Sequence, residues 1–386
     1  MLEFELWYLI VIPVMFVAGW WFRGLDQRQR EREMESTTYF KGINLFLNDQ
    51  PDKAIDAFIE VAQLDPQTIE LHHALGNLFC RRGEFDRAVR IHTYLLNRED
   101  LPNEERALAL SELSNDYLKA GLYDRAEASF KRLVNEPTYC LDAKRALLKI
   151  YCTEKEWHKA EAMARELDRQ AGENHQVEIA HFYCEMGMQA LHEKDTVKAQ
   201  QCFTLATEVD RKCVRAIIAL GDLCNQQGDV IKALQYWNTI EKVAPSYLIL
   251  VLTRLAKAYE ANQDHEKGKQ LVLRALHEQP NSETLTAAVE FLTQTEGEEA
   301  AMALLKEQLR DNPSLLAFEM LSQLRLKQSP DDTELKLLSQ LLKKQVTTRG
   351  RYQCSHCGFQ TKSFQWSCPG CSSWGTYPPV RRENHL

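Results

Sequence analysis

Four cysteines near the carboxyl end are the residues whose spacing points most directly to chemistry. They form two Cys-x-x-Cys pairs separated by ten residues: Cys354, Cys357, Cys368 and Cys371. A two-residue gap lets both sulfurs of a pair reach one ion at about 2.3 Å, so two pairs complete a tetrahedral site. The spacing therefore predicts a tetrathiolate metal centre.

The ligand set limits what this centre can do. Sulfur fills all four positions, which leaves no place for a metal-bound water and argues against metal-assisted hydrolysis. A dithiol redox centre would need a βαβ pattern around one pair, which the sequence lacks. A sulfur tetrahedron suits both zinc and iron, so the spacing leaves the metal open. His356 lies between two ligands and is interpreted as a residue outside the coordination sphere.

The segment that carries these cysteines is too short to fold around a core of its own. Residues 352–377 cannot bury a sizeable apolar core, so metal binding should supply most of their stability. Residues 352–377 are called the knuckle. Four aromatic residues are expected to form its small apolar core: Tyr352, Phe359, Trp366 and Trp374.

The rest of the chain offers no second reactive constellation. It contains none of the motifs GxxxxGK[ST], GxGxxG, HExxH and GxSxG. His181 and Cys184 have the three-residue spacing of a metal or nucleophile–base pair on a helix, but no third ligand or orienting carboxylate is evident. A packed helix face is the expected role of this pair, and no catalytic residue is predicted.

The elements that must position these residues are helices that repeat with a period near 34. Small residues recur at gaps of 34, 38, 34, 39, 34 and 35: Ala54, Ala88, Ala126, Ala160, Ala199, Ala233 and Gly268. Twelve residues before each, six of seven positions are small, with Leu148 the exception, and four residues after each most are large and apolar. This is the tetratricopeptide pattern of paired antiparallel helices that cross at small residues. The sequence predicts an α-solenoid over residues 35–313 and capping helices over 314–348.

The connections within this array can be predicted as well. Gly83, Gly121 and Gly228 are expected in the turn inside a repeat, where a residue with φ > 0 ends the first helix. The two long gaps are predicted to be loop insertions at residues 99–106 and 172–176. An eighth, weaker unit is expected to end at Pro313.

Stacked repeats leave a concave groove lined by their first helices. By the usual tetratricopeptide geometry, the polar residues expected to face it are Asn77, Arg81, Asn115, Lys119, Arg145, Lys149, Arg215 and Asp222. Such a groove binds a protein or a peptide, and the alternative is an ordinary solvated face.

An uncharged apolar run over residues 6–22 predicts a transmembrane anchor within residues 1–22. Its 17 residues would span about 25 Å as a helix, within the range for crossing a bilayer. A cleaved signal peptide would have basic residues before the run, whereas Glu3 and Glu5 stand there. Arginines crowd the linker at 23–34 instead, so the positive-inside rule places the amino terminus outside and the rest of the chain in the cytoplasm.

Composition agrees with a helical protein that binds other proteins. The formal charge is −8, from 47 basic and 55 acidic residues, which argues against nucleic-acid binding through phosphate contacts. A nucleic-acid-binding zinc ribbon is disfavoured further, because the basic residues around the knuckle are only Arg349, Arg351, Arg381 and Arg382. Seven of the 11 cysteines are scattered at no repeated spacing, which fits a reducing compartment. With only 16 Gly and 12 Pro residues, an all-α chain is favoured over an all-β one.

Several segments together resemble one protein family. They are the apolar amino-terminal run, LGNLFCRRGEFDRAVRIH at 75–92, AGLYDRAE at 120–127, VEIAHFYCE at 177–185 and RYQCSHCGF…WSCPGC at 351–371. Over essentially its whole length the chain resembles the lipopolysaccharide assembly protein B (LapB) family. The last segment is similar to that family's rubredoxin-type domain, so residues 349–386 are expected to hold iron through the four cysteines, with zinc as the alternative. The ten-residue spacer is far shorter than in electron-transfer rubredoxins, which puts a redox role in doubt.

The resemblance also implies a function and a location. It implies a single-pass inner-membrane adaptor, with its amino terminus in the periplasm and its bulk in the cytoplasm, that regulates lipopolysaccharide synthesis. Such an adaptor would help the membrane AAA+ protease FtsH degrade LpxC, the deacetylase that commits precursor to lipid A. Other lipopolysaccharide-assembly proteins are implied as partners, and a homodimer stays open. The alternatives are a scaffold that gathers the enzymes without controlling proteolysis, and a redox protein that uses the tetrathiolate.

Overall fold

The computed structural model describes residues 69–348 and 352–379. The predicted anchor at 1–22, the basic linker at 23–34, the first repeat around Ala54 and the arginines flanking the knuckle lie outside these ranges. Within them, no helix combines the length and the apolar character needed to cross a bilayer. The described residues divide into two compact units, the first ending at Glu156 and the second beginning at Trp157.

The described part of the first unit consists of helices. They are α1 (Ile69–Arg81), α2 (Phe85–Leu96), α3 (Asn103–Lys119), α4 (Tyr123–Leu133) and α5 (Cys140–Glu154). Helices α1 and α2 pack on each other across three connecting residues, as do α3 and α4. Connections this short make neighbouring helices antiparallel. The first helices α1 and α3 also contact each other, which is the stacking that tetratricopeptide repeats use.

The second unit continues the same pattern and ends in a small β-hairpin. Its elements are α6 (Trp157–Ala171), α7 (Gln176–His192), α8 (Thr196–Val209), α9 (Val214–Gln226), α10 (Val230–Val243), a 3-10 helix (Pro245–Leu250), α11 (Leu252–Ala261), α12 (His265–Glu278), α13 (Ser282–Thr295), α14 (Glu298–Asp311), α15 (Leu315–Gln328), α16 (Thr333–Thr348), β1 (Tyr352–Gln353) and β2 (Gln360–Thr361). Helix α7 contacts α9, and α11 contacts α13. The two strands pair antiparallel, with Tyr352 opposite Thr361.

A left-handed residue ends the first helix of each described repeat. The φ angle lies between 60° and 95° at Gly83, Gly121, Lys155, Lys194, Gly228, Gln263 and Gly297. At six of these positions the next backbone N–H donates to the carbonyl five residues back, as from Asp264 to Tyr259 at 2.9 Å, and at Gly297 the glycine's own N–H donates to the Leu292 carbonyl. These bonds satisfy an otherwise unpaired carbonyl at the helix end. The prediction is confirmed for Gly83, Gly121 and Gly228.

Replacing Gln263 with glycine should stabilise the second unit by about 1 kcal/mol, because a φ of 61° costs a side-chain-bearing residue energy that glycine avoids. Gln263 is exposed, so little packing is lost. Gly228→Ala is the matched control: an added Cβ would meet nothing within 4 Å, and only its φ of 83° opposes it. Thermal unfolding followed by circular dichroism should show opposite shifts for the two variants. A lower midpoint of thermal unfolding for Q263G than for wild type would contradict the left-handed conformation assigned to residue 263.

Inside the repeats, the two helices of a pair cross closely at a small residue of the first helix, which is covered by a ring from the second helix. A Cβ on Gly221 would lie 2.3 Å from Nε1 of Trp237, and one on Gly187 would lie 2.6 Å from Cε1 of Phe203. Because a side chain cannot approach a ring so closely, glycine is required at both crossings. The same crossing occurs at Gly76, but the ring that covers it belongs to His92.

The structure corrects one predicted connection. Residues 99–106 do not all form a loop, because α3 begins at Asn103 and the Arg106 N–H donates to the Pro102 carbonyl at 2.8 Å. Two glutamates in its first turn, Glu104 and Glu105, favour helix there through the helix dipole. The second insertion is a loop up to residue 175, and α7 starts at Gln176.

Candidate metal centre and the surface that holds it

The four cysteine sulfurs converge on one point. All lie within 4.8 Å of one another, with Cys354 and Cys371 3.9 Å apart and Cys357 and Cys368 3.6 Å apart. Four sulfurs bound tetrahedrally to one ion at 2.3 Å lie about 3.8 Å from each other. All four cysteines are free of disulfide bonds, so the chain carries a four-cysteine metal-binding site.

Two similar backbone turns hold the cysteine pairs. The N–H of Gly358 donates to the Cys354 carbonyl at 3.0 Å, and the N–H of Ser372 donates to the Cys368 carbonyl at 2.8 Å. Both donors have a positive φ, 78° at Gly358 and 59° at Ser372. The Gly370 N–H points at the Cys368 sulfur from 3.4 Å. Each turn therefore presents its two sulfurs on the same side.

Hydrogen bonds favour the thiolate form at two of the ligands. Burial raises the pKa of the Cys354 thiol, but hydrogen bonds from the Thr376 hydroxyl and from two backbone N–H groups lower it to about 6. Burial likewise raises the pKa of Cys368, and the Tyr377 hydroxyl, 3.5 Å from its sulfur, contributes to a net lowering. Since the thiolate is the metal ligand, these contacts favour metal binding.

The predicted aromatic packing of the knuckle is mostly wrong. Tyr352 is buried, but the partner that completes the core is Tyr377, 1% exposed. Phe359 is 46% exposed. Trp366 and Trp374 instead stack on Tyr247 and His181, outside the knuckle.

Trp374 seats the knuckle on helix α7. Its ring stacks on His181 with centroids 4.9 Å apart and planes 17° apart. Trp157 of α6 and Phe182 of α7 meet its edge at 6.2 and 6.3 Å. Aromatic pairs in these geometries add attraction beyond the area that they bury.

Trp366 makes a second contact between the knuckle and the helices, next to that of Trp374. It stacks on Tyr247 of the 3-10 helix, with centroids 6.1 Å apart and planes 8° apart. Phe364 packs edge-on against Trp366 at 4.8 Å, and the Tyr352 hydroxyl donates to Glu283 of α13 at 3.4 Å. The knuckle therefore contacts four separate elements of the unit: α6, α7, the 3-10 helix and α13.

The pair His181 and Cys184 serves packing, as predicted, although the sequence did not indicate what packs there. His181 is 5% exposed, and burial lowers its pKa to about 3, with Arg215 adding to the effect. It is therefore a neutral ring between the two knuckle tryptophans. Cys184 is fully buried, 3.7 Å from the sulfur of Cys213.

The residues predicted to face a groove lie on the first helices and mostly bind neighbouring side chains. In the first unit, Asn77 donates to Glu112 at 2.5 Å and Arg145 donates to Asp142 at 2.8 Å. Arg81, Asn115, Lys119 and Lys149 are also exposed there. In the second unit, Arg215 pairs with Glu185 and Asp222 pairs with Arg254. Surface pairs of this kind contribute about 0–1 kcal/mol, so a partner can replace them at little cost.

Two family models match the chain. The rubredoxin metal binding domain matches residues 352–379, and the tetratricopeptide repeat matches residues 71–107. The matched ranges are the knuckle and the first described repeat with the start of the next.

Two relatives align over almost their entire lengths. Lipopolysaccharide assembly protein B of Escherichia coli strain K12 is 32% identical over 383 residues, covering 98% of this chain and 98% of that protein. Lipopolysaccharide assembly protein B of Haemophilus influenzae strain Rd is 30% identical over 395 residues, covering 99% of each.

Solved structures show weaker likeness. Naa15/Naa10 bound to HypK-THB has a TM-score of 0.44 at 12% identity and covers 82% of this chain and 52% of that one. The TPR2AB-domain:pHSP90 complex of yeast Sti1 has a TM-score of 0.33 at 17% identity and covers 72% of this chain and 97% of that one. Likeness at this level places no constraint on function.

Proposed function

Because the chain belongs to the lipopolysaccharide assembly protein B family, we propose that it is an inner-membrane adaptor that regulates lipopolysaccharide synthesis. In this role it brings the deacetylase LpxC to the membrane protease FtsH and promotes its degradation. The observation that carries the proposal is similarity over 98% of both this chain and its Escherichia coli relative. Its repeats and its family make the chain an interaction protein and not an enzyme.

In this proposal the metal has a structural role. Cys354, Cys357, Cys368 and Cys371 hold one ion, with iron proposed and zinc the alternative. When bound, the ion supplies four metal–sulfur bonds that fix the two turns. The second turn lies between Trp366 and Trp374 in the sequence, so fixing it places both rings against α7 and the 3-10 helix.

The proposed partner surface lies in the first unit. Its residues are Asn77, Arg81, Asn115, Lys119, Arg145 and Lys149, all exposed. Four of the six are cations, so we expect them to bind an acidic segment of a partner protein. Their neighbouring ion pairs are weak enough to exchange for such a partner.

The proposed anchor is the apolar run at residues 6–22, with the amino terminus in the periplasm. An anchor of this kind confines the repeats to the membrane plane, which raises their effective concentration near a membrane protease. Adaptor activity should therefore depend on the anchor.

The proposal is tested by a pulse-chase of LpxC in cells depleted of the chain. Depletion should lengthen the LpxC half-life, and the full chain should restore it. A chain lacking residues 1–30, or one carrying Arg145→Glu with Lys149→Glu, should restore it poorly. An unchanged half-life together with altered lipopolysaccharide content would instead favour the scaffold. Full activity of the shortened chain would rule out tethering as the mechanism.

A further inference from the structure

A group of metal-ligating side chains also lies in the first unit. His73 of α1, His92 of α2 and Glu112 of α3 each bring a ligand atom within 4.8 Å of the other two. Nε2 of His92 lies 3.2 Å from Oε2 of Glu112, and Nδ1 of His73 contacts the same oxygen. One carboxylate oxygen therefore lies between one nitrogen of each ring.

The second nitrogen of each ring faces another carboxylate. Nδ1 of His92 lies 2.6 Å from Oδ2 of Asp116, and Nε2 of His73 lies 3.4 Å from Oε2 of Glu105. In metal sites, a carboxylate on the far nitrogen orients an imidazole ligand and raises its basicity. For His92 this contact is a hydrogen bond, whereas Nε2 of His73 lies near Glu105 without a hydrogen bond.

The inner nitrogen of His92 is buried and lacks a hydrogen bond. The ring is 0% exposed, and Nε2 makes no hydrogen bond to Glu112 although only 3.2 Å separates the two atoms. A hydrogen bond requires the N–H to point at the acceptor. Two ligands of a tetrahedral ion at about 2.1 Å lie about 3.4 Å apart, and their lone pairs point at the ion and not at each other. The observed separation and misalignment suit two ligands of one ion.

The cluster also needs positive charge. The Asp116 side chain is 2% exposed and that of Glu112 is 14% exposed. Buried carboxylates must be compensated by a cation or a proton. A divalent ion bound by the two imidazoles would compensate both.

The packing of the repeats does not explain why residue 92 is a histidine. His92 covers Gly76 as Phe203 covers Gly187 and Trp237 covers Gly221. An apolar ring therefore suffices at this position elsewhere in the chain. A histidine there, between buried Asp116 and half-buried Glu112, points to a ligand.

We propose that His73, His92 and Glu112 bind one divalent transition-metal ion of the zinc type, with Asp116 orienting the imidazole of His92. Two nitrogens and one oxygen suit zinc and its neighbours in the first transition row, whereas magnesium and calcium prefer all-oxygen sites. Three protein ligands leave a fourth position for water. The ion would tie α1, α2 and α3 together, and thus two successive repeats.

The test is metal stoichiometry of the full chain, equilibrated with zinc and freed of excess. Wild type should hold two ions per chain, one at the cysteines and one here. Glu112→Gln and His73→Leu should each hold one. His72→Gln is the matched control, because that neighbouring ring stacks on Tyr94 with centroids 5.4 Å apart, and it should keep two. Asp116→Asn should weaken the second site about 10–100-fold without removing it.

X-ray absorption of wild type identifies the ligand atoms independently of these variants. In wild type loaded with one equivalent beyond the cysteine site, X-ray absorption at the zinc edge should show nitrogen and oxygen neighbours beside sulfur. The proposal would be overturned if wild type held only one ion per chain or if its spectrum showed only sulfur neighbours. It would also be overturned if both E112Q and H73L kept the second ion. The wild-type measurement decides the question even if a variant fails to fold.

Discussion

A chain carrying Cys368→Ser should lose the metal of the knuckle and unfold residues 352–379. Cys368 is 1% exposed and lies 3.6 Å from Cys357, and a serine hydroxyl is a poor replacement for a thiolate. Metal binding is folding free energy in domains of this size, about 10–16 kcal/mol for zinc in comparable peptides. Metal content, and protease cleavage within the knuckle, measure the loss.

The control for this variant is Cys140→Ser, a half-buried cysteine of α5, which should keep its metal. In cells, C368S should lengthen the LpxC half-life if the proposed function is right. Normal LpxC turnover by a chain shown to be free of knuckle metal would argue against any role of the knuckle in that function.

The variant Trp374→Ala should separate metal binding from docking. Trp374 is not a ligand and lies outside the core of Tyr352 and Tyr377, so the metal should stay bound. Its contacts with His181, Trp157 and Phe182 would be lost. A fully buried tryptophan costs about 3–5 kcal/mol when truncated to alanine. Trp374 is half-buried, so we expect a cost of about 2 kcal/mol.

Hydrogen exchange of the full chain measures that undocking. Exchange should rise in residues 177–187 of α7 and in the knuckle, while metal content stays that of wild type. Phe359→Ala is the matched control, since this knuckle aromatic is 46% exposed, and it should leave α7 protected. Unchanged protection of α7 in W374A would show that other contacts hold the knuckle.

The repeats could be predicted because their causes lie close together in sequence. Gly187 and Phe203 are 16 residues apart, and their contact follows from the geometry of one helical pair. The same holds for glycines in the turns. Lys155, Lys194 and Gln263 adopt the same left-handed conformation without a local signal, because neither lysine nor glutamine favours φ > 0.

The cysteine ligands were predictable for the same reason, whereas the docking of the knuckle was not. Trp374 stacks on His181, 193 residues earlier in the chain, and no periodicity links the two positions. The helical spacing of His181 and Cys184 predicts that His181 packs, but it does not indicate Trp374 as the partner. Likewise, His92 occupied the position of a repeat aromatic, and only the structure brings Glu112 and Asp116 to its nitrogens.

The stacking of both knuckle tryptophans on helices of the repeats has a thermodynamic consequence. If docking stabilises the metal-loaded knuckle, then by reciprocity metal loading stabilises docking by an equal free energy. Any protein that competes with the knuckle for the α7 face would lower the affinity of the four cysteines for the ion. Conversely, a shortage of the ion would undock the knuckle and expose that face. The supply of one nutrient metal would then set how much of this surface the cell can use.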